Sequence, residues 1–241
     1  MKALIFAAGL GTRLYPFTSD RPKALVPVAG KPMLQHIIIK LKTFGITNFI
    51  INIHHFGDQI IQFLKENENF GCTIHISDER DQLLDTGGGL KKALYELNEN
   101  EDLLVHNVDV WTNYNLSKLI AHHKQSHSLI SLLVQNRETS RYLLFDKKEN
   151  TLKGWINKKT GEKIPKLINP KHHNPFAFNG IHIINSHVKK LFPIKDSFPL
   201  IPVYLNLSQK IKISALEFDN SYWLDLGKVE QIEKAEILLK K

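Results

Sequence analysis

A chain with one cysteine can close no disulfide on itself, and Cys72 is alone among 241 residues. It sits in the apolar alternation Cys72-Thr73-Ile74-His75-Ile76, where a strand residue is the first reading and a reactive thiol the second. No run is apolar enough to cross a membrane, and Met1-Lys2 leads into a short strand rather than a signal peptide with a small-residue cleavage site. A cytoplasmic protein is therefore expected. No Cys/His spacing suits zinc. The 12 histidines include the pairs His54-His55, His122-His123 and His172-His173. Adjacent residues point apart on a strand and about 100° apart on a helix, so such pairs seldom share one ion. The formal charge of +8 comes from scattered lysines, with no basic block interleaved with aromatics. That excludes an evident nucleic-acid surface and leaves a solvated face able to draw polyanions toward a cleft. Internal repeats and long low-complexity linkers are also missing.

What is present is 42% apolar residues, enough to bury a substantial core in one large domain, residues 1–241. Short apolar runs alternate with helical patterns, which predicts βαβ units and a mainly parallel sheet flanked by helices. Strands are expected at Lys2 to Ala7, Asn48 to Ile53, Cys72 to Ser77, Leu103 to Val105, Leu129 to Val134, Phe176 to Ile184 and Ile211 to Leu216. Pro32 opens a helix with Leu34, Ile37, Ile38 and Leu41 on one face, and Gly45 ends it. Further helices are expected over Asp58 to Glu66, Leu90 to Leu97, Leu116 to Ser126 and Lys228 to Leu239. The Lys- and Gly-rich region Arg141 to Ile168 reads as antiparallel hairpins forming a small lid.

The first strand runs into Ala7-Ala8-Gly9-Leu10-Gly11-Thr12-Arg13-Leu14-Tyr15-Pro16, followed by Arg21-Pro22-Lys23-Ala24-Leu25. Glycine accepts positive φ and lets backbone N–H groups approach a phosphate. Arg13 and Lys23 add cationic donors, the first suited to several oxygens and the second a point charge. A bare Gly-x-Gly also marks ordinary turns. The spacing fits neither Gly-x-Gly-x-x-Gly nor Gly-x-x-x-x-Gly-Lys-Ser/Thr, so a dinucleotide fingerprint and a P-loop are both disfavoured.

Two acids stand out. Asp109 lies just past a strand, in His106-Asn107-Val108-Asp109-Val110-Trp111, where open α/β sheets place ligands. Asp225 lies in Trp223-Leu224-Asp225-Leu226-Gly227, before the last helix. Each alone can be read as a turn or helix cap. Together with bound phosphates, two carboxylates are a typical way to hold Mg²⁺, which prefers octahedral oxygen and keeps some water.

Gly9 to Pro16 and Pro22 to Leu25 together resemble the signature of the sugar-phosphate nucleotidyltransferases, Gly-x-Gly-Thr-Arg-Leu-x-Pro and then Pro-Lys-x-Leu. The resemblance implies a Rossmann-like, glycosyltransferase A-type sheet, with a nucleotide-binding lobe over about 1–135 and a sugar-binding lobe with closing elements over about 136–241. It implies transfer of a nucleotidyl group from an NTP to a sugar 1-phosphate, with Mg²⁺ on Asp109 and Asp225. Arg13 and Lys23 become the catalytic cations, and Ala7, Ala8, Gly9, Gly11, Thr12 and Asn107 join them around the nucleotide. Thr86-Gly87-Gly88-Gly89 falls where the family packs the base against a glycine turn at a helix start, although such a run is also a common linker. Asn179-Gly180 falls where relatives contact the sugar, a strand bulge being the plainer reading.

Within the family, Asp85 to Gly89, Asp109 to Thr112 and Trp223 to Gly227 resemble the N-acetylmuramate 1-phosphate uridylyltransferase-like enzymes, which implies UTP with that sugar phosphate or a similar hexose 1-phosphate. Mannose- or heptose-1-phosphate guanylyltransferases are the nearest competing enzymes, with phosphocholine cytidylyltransferase further off. The expected partners are the two substrates, in a monomer or small homo-oligomer. The chain closes on its helix without a left-handed β-helix, which speaks against the bifunctional acetyltransferase relatives. Two departures stand out: Val108 replaces the usual glycine before the metal aspartate, and Glu162-Lys163-Ile164-Pro165 only approximates the family's Glu-Lys-Pro, leaving Lys166 or Lys171 as substitutes. A nucleotide-sugar sensor would normally lack one of Arg13, Lys23, Asp109 or Asp225, and all four are kept. A glycosyltransferase would need Asp-x-Asp, which Asn107-Val108-Asp109 is not.

Overall fold

The computed structural model describes residues 1–218 and 221–239. In chain order the strands and helices are β1 (Lys2–Phe6), β2 (Pro27–Val28), β3 (Lys31–Pro32), α1 (Met33–Thr43), β4 (Asn48–Ile53), α2 (Gly57–Glu66) and β5 (Thr73–Asp78). Next come α3 (Asp85–Tyr95), β6 (Asp102–Asn107), β7 (Val110–Thr112), α4 (Leu116–Ser126), β8 (Ile130–Gln135), β9 (Arg141–Asp146), β10 (Leu152–Asn157) and β11 (Lys163–Ile164). β12 (His173–Asn185), α5 (Leu200–Leu207), β13 (Ile213–Glu217), β14 (Trp223–Asp225) and α6 (Val229–Leu239) complete the chain.

β1 buries Ala3, Leu4 and Ile5 completely, and such unbroken burial suits a strand covered on both faces. It runs parallel between β4 and β6, and β5 extends the parallel half beyond β4. β12 then turns the sheet antiparallel, pairing with β6, β8 and β9, while β13 lies parallel to β8. Helices cover both faces. On one, Leu34, Ile37, Ile38 and Leu41 of α1 pack with Ile60 of α2, Leu119 of α4 and Ile232 of α6. On the other, Leu90, Ala93 and Leu94 of α3 meet Val203, Tyr204 and Leu207 of α5. Among the described residues no helix is long and apolar enough to cross a membrane.

The mixed sheet and flanking helices match the expected α/β class. The hairpins of 141–168 join the main sheet instead of standing over it, because β9 pairs with β12 from His173–Asp146 to Phe176–Leu143. The helix expected to start at Leu90 starts at Asp85, so Gly87, Gly88 and Gly89 form part of its first turns rather than a loop before it. Tertiary contact overrides glycine's poor helix propensity here. Two short ladders, β2 with β3 and β14 with β7, and the apolar helix α5 complete the observed elements.

Candidate active site

The register of the sheet brings the site together. Phe6 at the end of β1 stands opposite Asn52 in β4 and Asn107 in β6, so the loops leaving all three strands start at one level. Open parallel sheets bind ligands at this position. Asn52 is buried in a strand that is otherwise apolar from Phe49 to Ile53. Its Oδ1 accepts the N–H groups of Ala7 at 2.7 Å and Ala8 at 3.3 Å, and its Nδ2 donates to Glu79 Oε1 at 2.9 Å. Glu79 Oε2 accepts the Leu84 N–H at 3.1 Å, and burial raises this carboxyl above its ordinary value. One buried chain of hydrogen bonds thus fixes both the start of the glycine loop and the approach to α3.

The sequence-expected residues Ala7 and Ala8 therefore sit at the site with their N–H groups already committed. Beyond them the loop opens, and a Cβ added at Gly9 would meet nothing within 4 Å. Gly11 is the position that needs glycine: its φ is +67°, and a Cβ would lie 3.0 Å from both Lys23 Cβ and Thr18 Cγ2. Thr12 and Arg13 are exposed in a short helical turn, Thr12–Leu14, pinned by the buried Leu14.

Asp109 occupies the turn between β6 and β7, and Asp225 ends β14. The antiparallel pairing of β7 with β14 sets Asp225 opposite Val110, and the Leu226 N–H donates to Asp109 O at 2.8 Å. Lys23 Nζ pairs with Asp109 Oδ2, both side chains being mostly buried. Arg13 Nη1 lies 3.7 Å from Asp225 Oδ2 in a more exposed pair. All but Lys23 converge on Gly227, where a Cβ would lie 2.7 Å from Arg13 Nη2, 2.8 Å from Asp225 Oδ1 and 3.2 Å from Asp109 Oδ2. Among the described residues no third carboxylate, histidine or cysteine completes a metal cluster with these two aspartates. Two hard carboxylates around a cradle that only glycine leaves open fit an ion that draws its other ligands from phosphate and water.

Beside this group lies a cleft of about 430 Å³, with Phe6, Leu83 and Val108 as apolar wall and Asn52, Glu79 and Asn107 as polar floor. Ala8, Gly9, Lys23, Thr86, Asp109 and Ser197 also line it. Thr86 faces the cleft, and its Oγ1 accepts the Leu200 N–H at 3.1 Å. Gly87 and Gly88 are turned away from it, against the segment 196–198: the Gly87 N–H donates to Phe198 O at 2.9 Å, and a Cβ at Gly88 would fall 1.9 Å from Asp196 O. Gly180, at φ +76°, lies where the β12–β8 register slips between Phe178 and His182, so the expected bulge is present. A Cβ there would press to 2.8 Å from Asn107 Nδ2, which ties this bulge to the cleft. Asn179 is buried, with both amide atoms unpartnered.

Behind the Asp109 hairpin, Lys40 Nζ donates to Thr112 O, and burial lowers this ammonium to about 8. His106 is fully buried and brought to about 3 by burial and by Lys40, so it is neutral at pH 7. The approximate Glu-Lys-Pro lies on β11, the outermost strand, with β10, β9 and β12 between it and β6. Asn52, Glu79 and Ser197 escaped the sequence reading. Of these only Asn52, a lone polar residue within an apolar strand, carried a visible signal.

The parallel half-sheet, the glycine loop at its edge and the paired cations and carboxylates define an α/β protein of nucleotide-handling type. The chain belongs to the nucleotidyl transferase family, whose model matches residues 2–241. It is 44% identical over 115 residues to an N-acetylmuramate alpha-1-phosphate uridylyltransferase of Caulobacter vibrioides, covering 46% of this chain and 47% of that one. It is 30% identical to a mannose-1-phosphate guanyltransferase of Kluyveromyces lactis, over 99% of this chain and 64% of the relative. It thus spans roughly half to two thirds of the length of these two curated relatives. The fold matches that of HddC from Yersinia pseudotuberculosis, solved with GMP-PN, at a TM-score of 0.76 and 22% identity over 99% of each chain.

Proposed function

We propose that this chain transfers a nucleoside monophosphate from a nucleoside triphosphate to a sugar 1-phosphate and releases pyrophosphate. The convergence of Arg13, Asp109 and Asp225 on Gly227, with Lys23 on Asp109 at the mouth of the cleft, is the observation that carries this reading. The attacking oxygen is already anionic, so no general base is needed, and the obstacle is repulsion between anions together with charge gathering on the α-phosphoryl group. Alignment and fixed charge supply the acceleration. Gly9, Gly11, Thr12 and Arg13 hold the β- and γ-phosphates. Lys23 neutralises the attacking and transferred phosphates. Asp109 and Asp225 would hold Mg²⁺, which when bound supplies charge neutralisation at the transferring group. The base enters the cleft against Ala8, Thr86 and Asn107, with Gly87 and Gly88 setting the position of α3. The sugar lies toward Asn179 and Gly180, which gives about 1–135 the nucleotide and about 136–241 the sugar.

UTP with N-acetylmuramate 1-phosphate or a similar hexose 1-phosphate is the favoured pair, supported by the 44% identity to the Caulobacter uridylyltransferase. The guanylyl alternative is supported by the likeness to the Kluyveromyces protein over nearly the whole chain. Such substrates place the reaction in the cytoplasm. The test is pyrophosphate release with ATP, UTP, GTP, CTP and dTTP against a panel of sugar 1-phosphates and Mg²⁺. Turnover is expected, strongest with UTP, and Asp225→Ala should abolish it with the fold intact. No turnover with any pair, beside tight binding of a finished nucleotide sugar, would replace the enzyme reading with a sensing one.

A further inference from the structure

Close to Asp225 lies an arginine without an acidic partner. Arg137 follows β8, and its guanidinium carbon stands 4.2 Å over the Trp223 ring. Nη2 donates to Phe178 O at a long 3.4 Å, and Nε is buried with no partner. Among the described residues it has no ion pair; Asp225 and Tyr142 act on it only through their fields, while burial disfavours its charge. A half-buried guanidinium whose Nε is buried without a partner is costly unless something else satisfies it.

The neighbouring group has the same deficit. Asn179 is 1% exposed, and both its side-chain oxygen and nitrogen lack partners. Trp223 joins the two residues: Arg137 covers its ring, and its Nε1 donates to Asn179 O at 3.1 Å. Trp223 is two residues from Asp225 on the same short strand. Arg137, with its orphan Nε, and Asn179, with its orphan carboxamide, therefore both contact one aromatic side chain, the second through its backbone carbonyl, two residues from the proposed metal carboxylate. Lys163, the family-like lysine, is remote on the outer strand β11.

We infer that Arg137 and Asn179 form a subsite for an oxyanion carried by the sugar substrate, with Arg137 providing the cation expected from the Glu-Lys-Pro lysine. This rests on the sugar 1-phosphate reading above. The oxyanion has two possible sources, the phosphate on the anomeric carbon or a carboxylate on a sugar substituent such as a lactyl ether, and both offer paired oxygens that suit a guanidinium fork.

The experiment compares wild type, R137M and R137K, using the nucleotide the wild type prefers and two hexose 1-phosphates, one with a substituent carboxylate and one without. R137M should raise KM for the sugar phosphate about tenfold or more and change KM for the nucleotide less than about twofold; R137K should recover only part of the loss. An equal rise for both sugars assigns the anomeric phosphate, and a rise confined to the carboxylated sugar assigns its carboxylate. An unchanged sugar KM, or an equal rise in nucleotide KM, overturns the subsite. If R137M fails to fold, R137Q decides: it keeps a planar polar side chain at Trp223 without the charge, and an unchanged sugar KM in it refutes the inference. If wild type turns over no pair, the activity reading fails, and the subsite is judged by titrating N-acetylmuramate 1-phosphate and inorganic phosphate against tryptophan fluorescence. Binding weakened in the variants then supports it, and equal binding or none overturns it.

Discussion

Replacing Gly227 with alanine tests whether the two carboxylates must hold their observed positions. The new Cβ would lie 2.7 Å from Arg13 Nη2, 2.8 Å from Asp225 Oδ1 and 3.2 Å from Asp109 Oδ2. Arg13 ends in solvent and can swing away at little cost. Asp225 has less freedom, because its Oδ1 accepts the Gly227 N–H at 2.9 Å. To reach ordinary contact it must retreat by roughly half an ångström. Losing that bond costs about 1 kcal/mol, and an off-rotamer carboxylate about 1 more, so stability should fall by about 2 kcal/mol. For a chain of this size that corresponds to a drop of about 4–8 °C in melting temperature. Activity should suffer more than stability: a 1 Å misplacement costs about a hundredfold, so half of that predicts a kcat at least about tenfold lower. Pyrophosphate release and thermal unfolding of the same preparation read both numbers. A kcat within twofold of wild type would refute the idea that Asp109 and Asp225 act from these positions.

Three further substitutions probe the scaffold. Lys40 loses its proton near pH 8 when folded and near 10.5 when unfolded, so between those values the unfolded chain binds more protons and stability rises with pH. The rise is about 3 kcal/mol; Lys40→Met should remove it in denaturant titrations at pH 7.5 and 10.5, and equal slopes for both proteins would show that the ammonium is not desolvated. Gly88→Ala drives a Cβ to 1.9 Å from Asp196 O and should cost about 3 kcal/mol by parting α3 from that segment; a loss below about 1 kcal/mol in chemical unfolding contradicts the packing. Asn52→Leu keeps the branching and heavy-atom count of the side chain but strands the N–H groups of Ala7 and Ala8 and leaves Glu79 Oε1 unpaired. A loss of about 2–4 kcal/mol with a raised nucleotide KM is expected, and an unchanged KM would separate Asn52 from the phosphate loop.

The parts of the fold visible in the sequence were those governed by local rules. β4 runs from Asn48 to Ile53 as the apolar run implied, and α1 lies between Pro32 and a Gly45 at φ +77°. Gly11 takes the positive φ that the loop motif suggested. What escaped depended on distant residues. The glycines 87–89 read as a turn because their propensity is poor, yet the Gly87 N–H bonds Phe198 O and Asp196 O packs so close to Gly88 that no Cβ fits, which makes them part of a close-packed helix. β7 and β14 are three residues each, too short for any periodic signal, and their pairing is what sets Asp109 beside Asp225. Family resemblance joined those two acids before geometry did. Arg137 belongs to no motif, and only its buried, unpartnered Nε and the lack of an acidic partner among the described residues draw notice.

The charges at the centre also bear on the metal. Lys23 is matched by Asp109 and Arg13 by Asp225, so these four side chains sum to zero. A nucleoside triphosphate and a sugar 1-phosphate both bring negative charge to that neutral group, and bringing two anions together in a low-dielectric cleft is the main barrier to the proposed reaction. The basic surface speeds encounter but is screened within about 10 Å and cannot hold the reacting oxygens. Under the proposed reaction a divalent ion on Asp109 and Asp225 would add positive charge there while releasing Lys23 and Arg13 toward phosphate. On the sugar side the same requirement falls to Arg137, which no carboxylate neutralises among the described residues. The proposed ion and the proposed oxyanion subsite thus answer one electrostatic deficit from neighbouring positions on either side of Trp223 and Asp225.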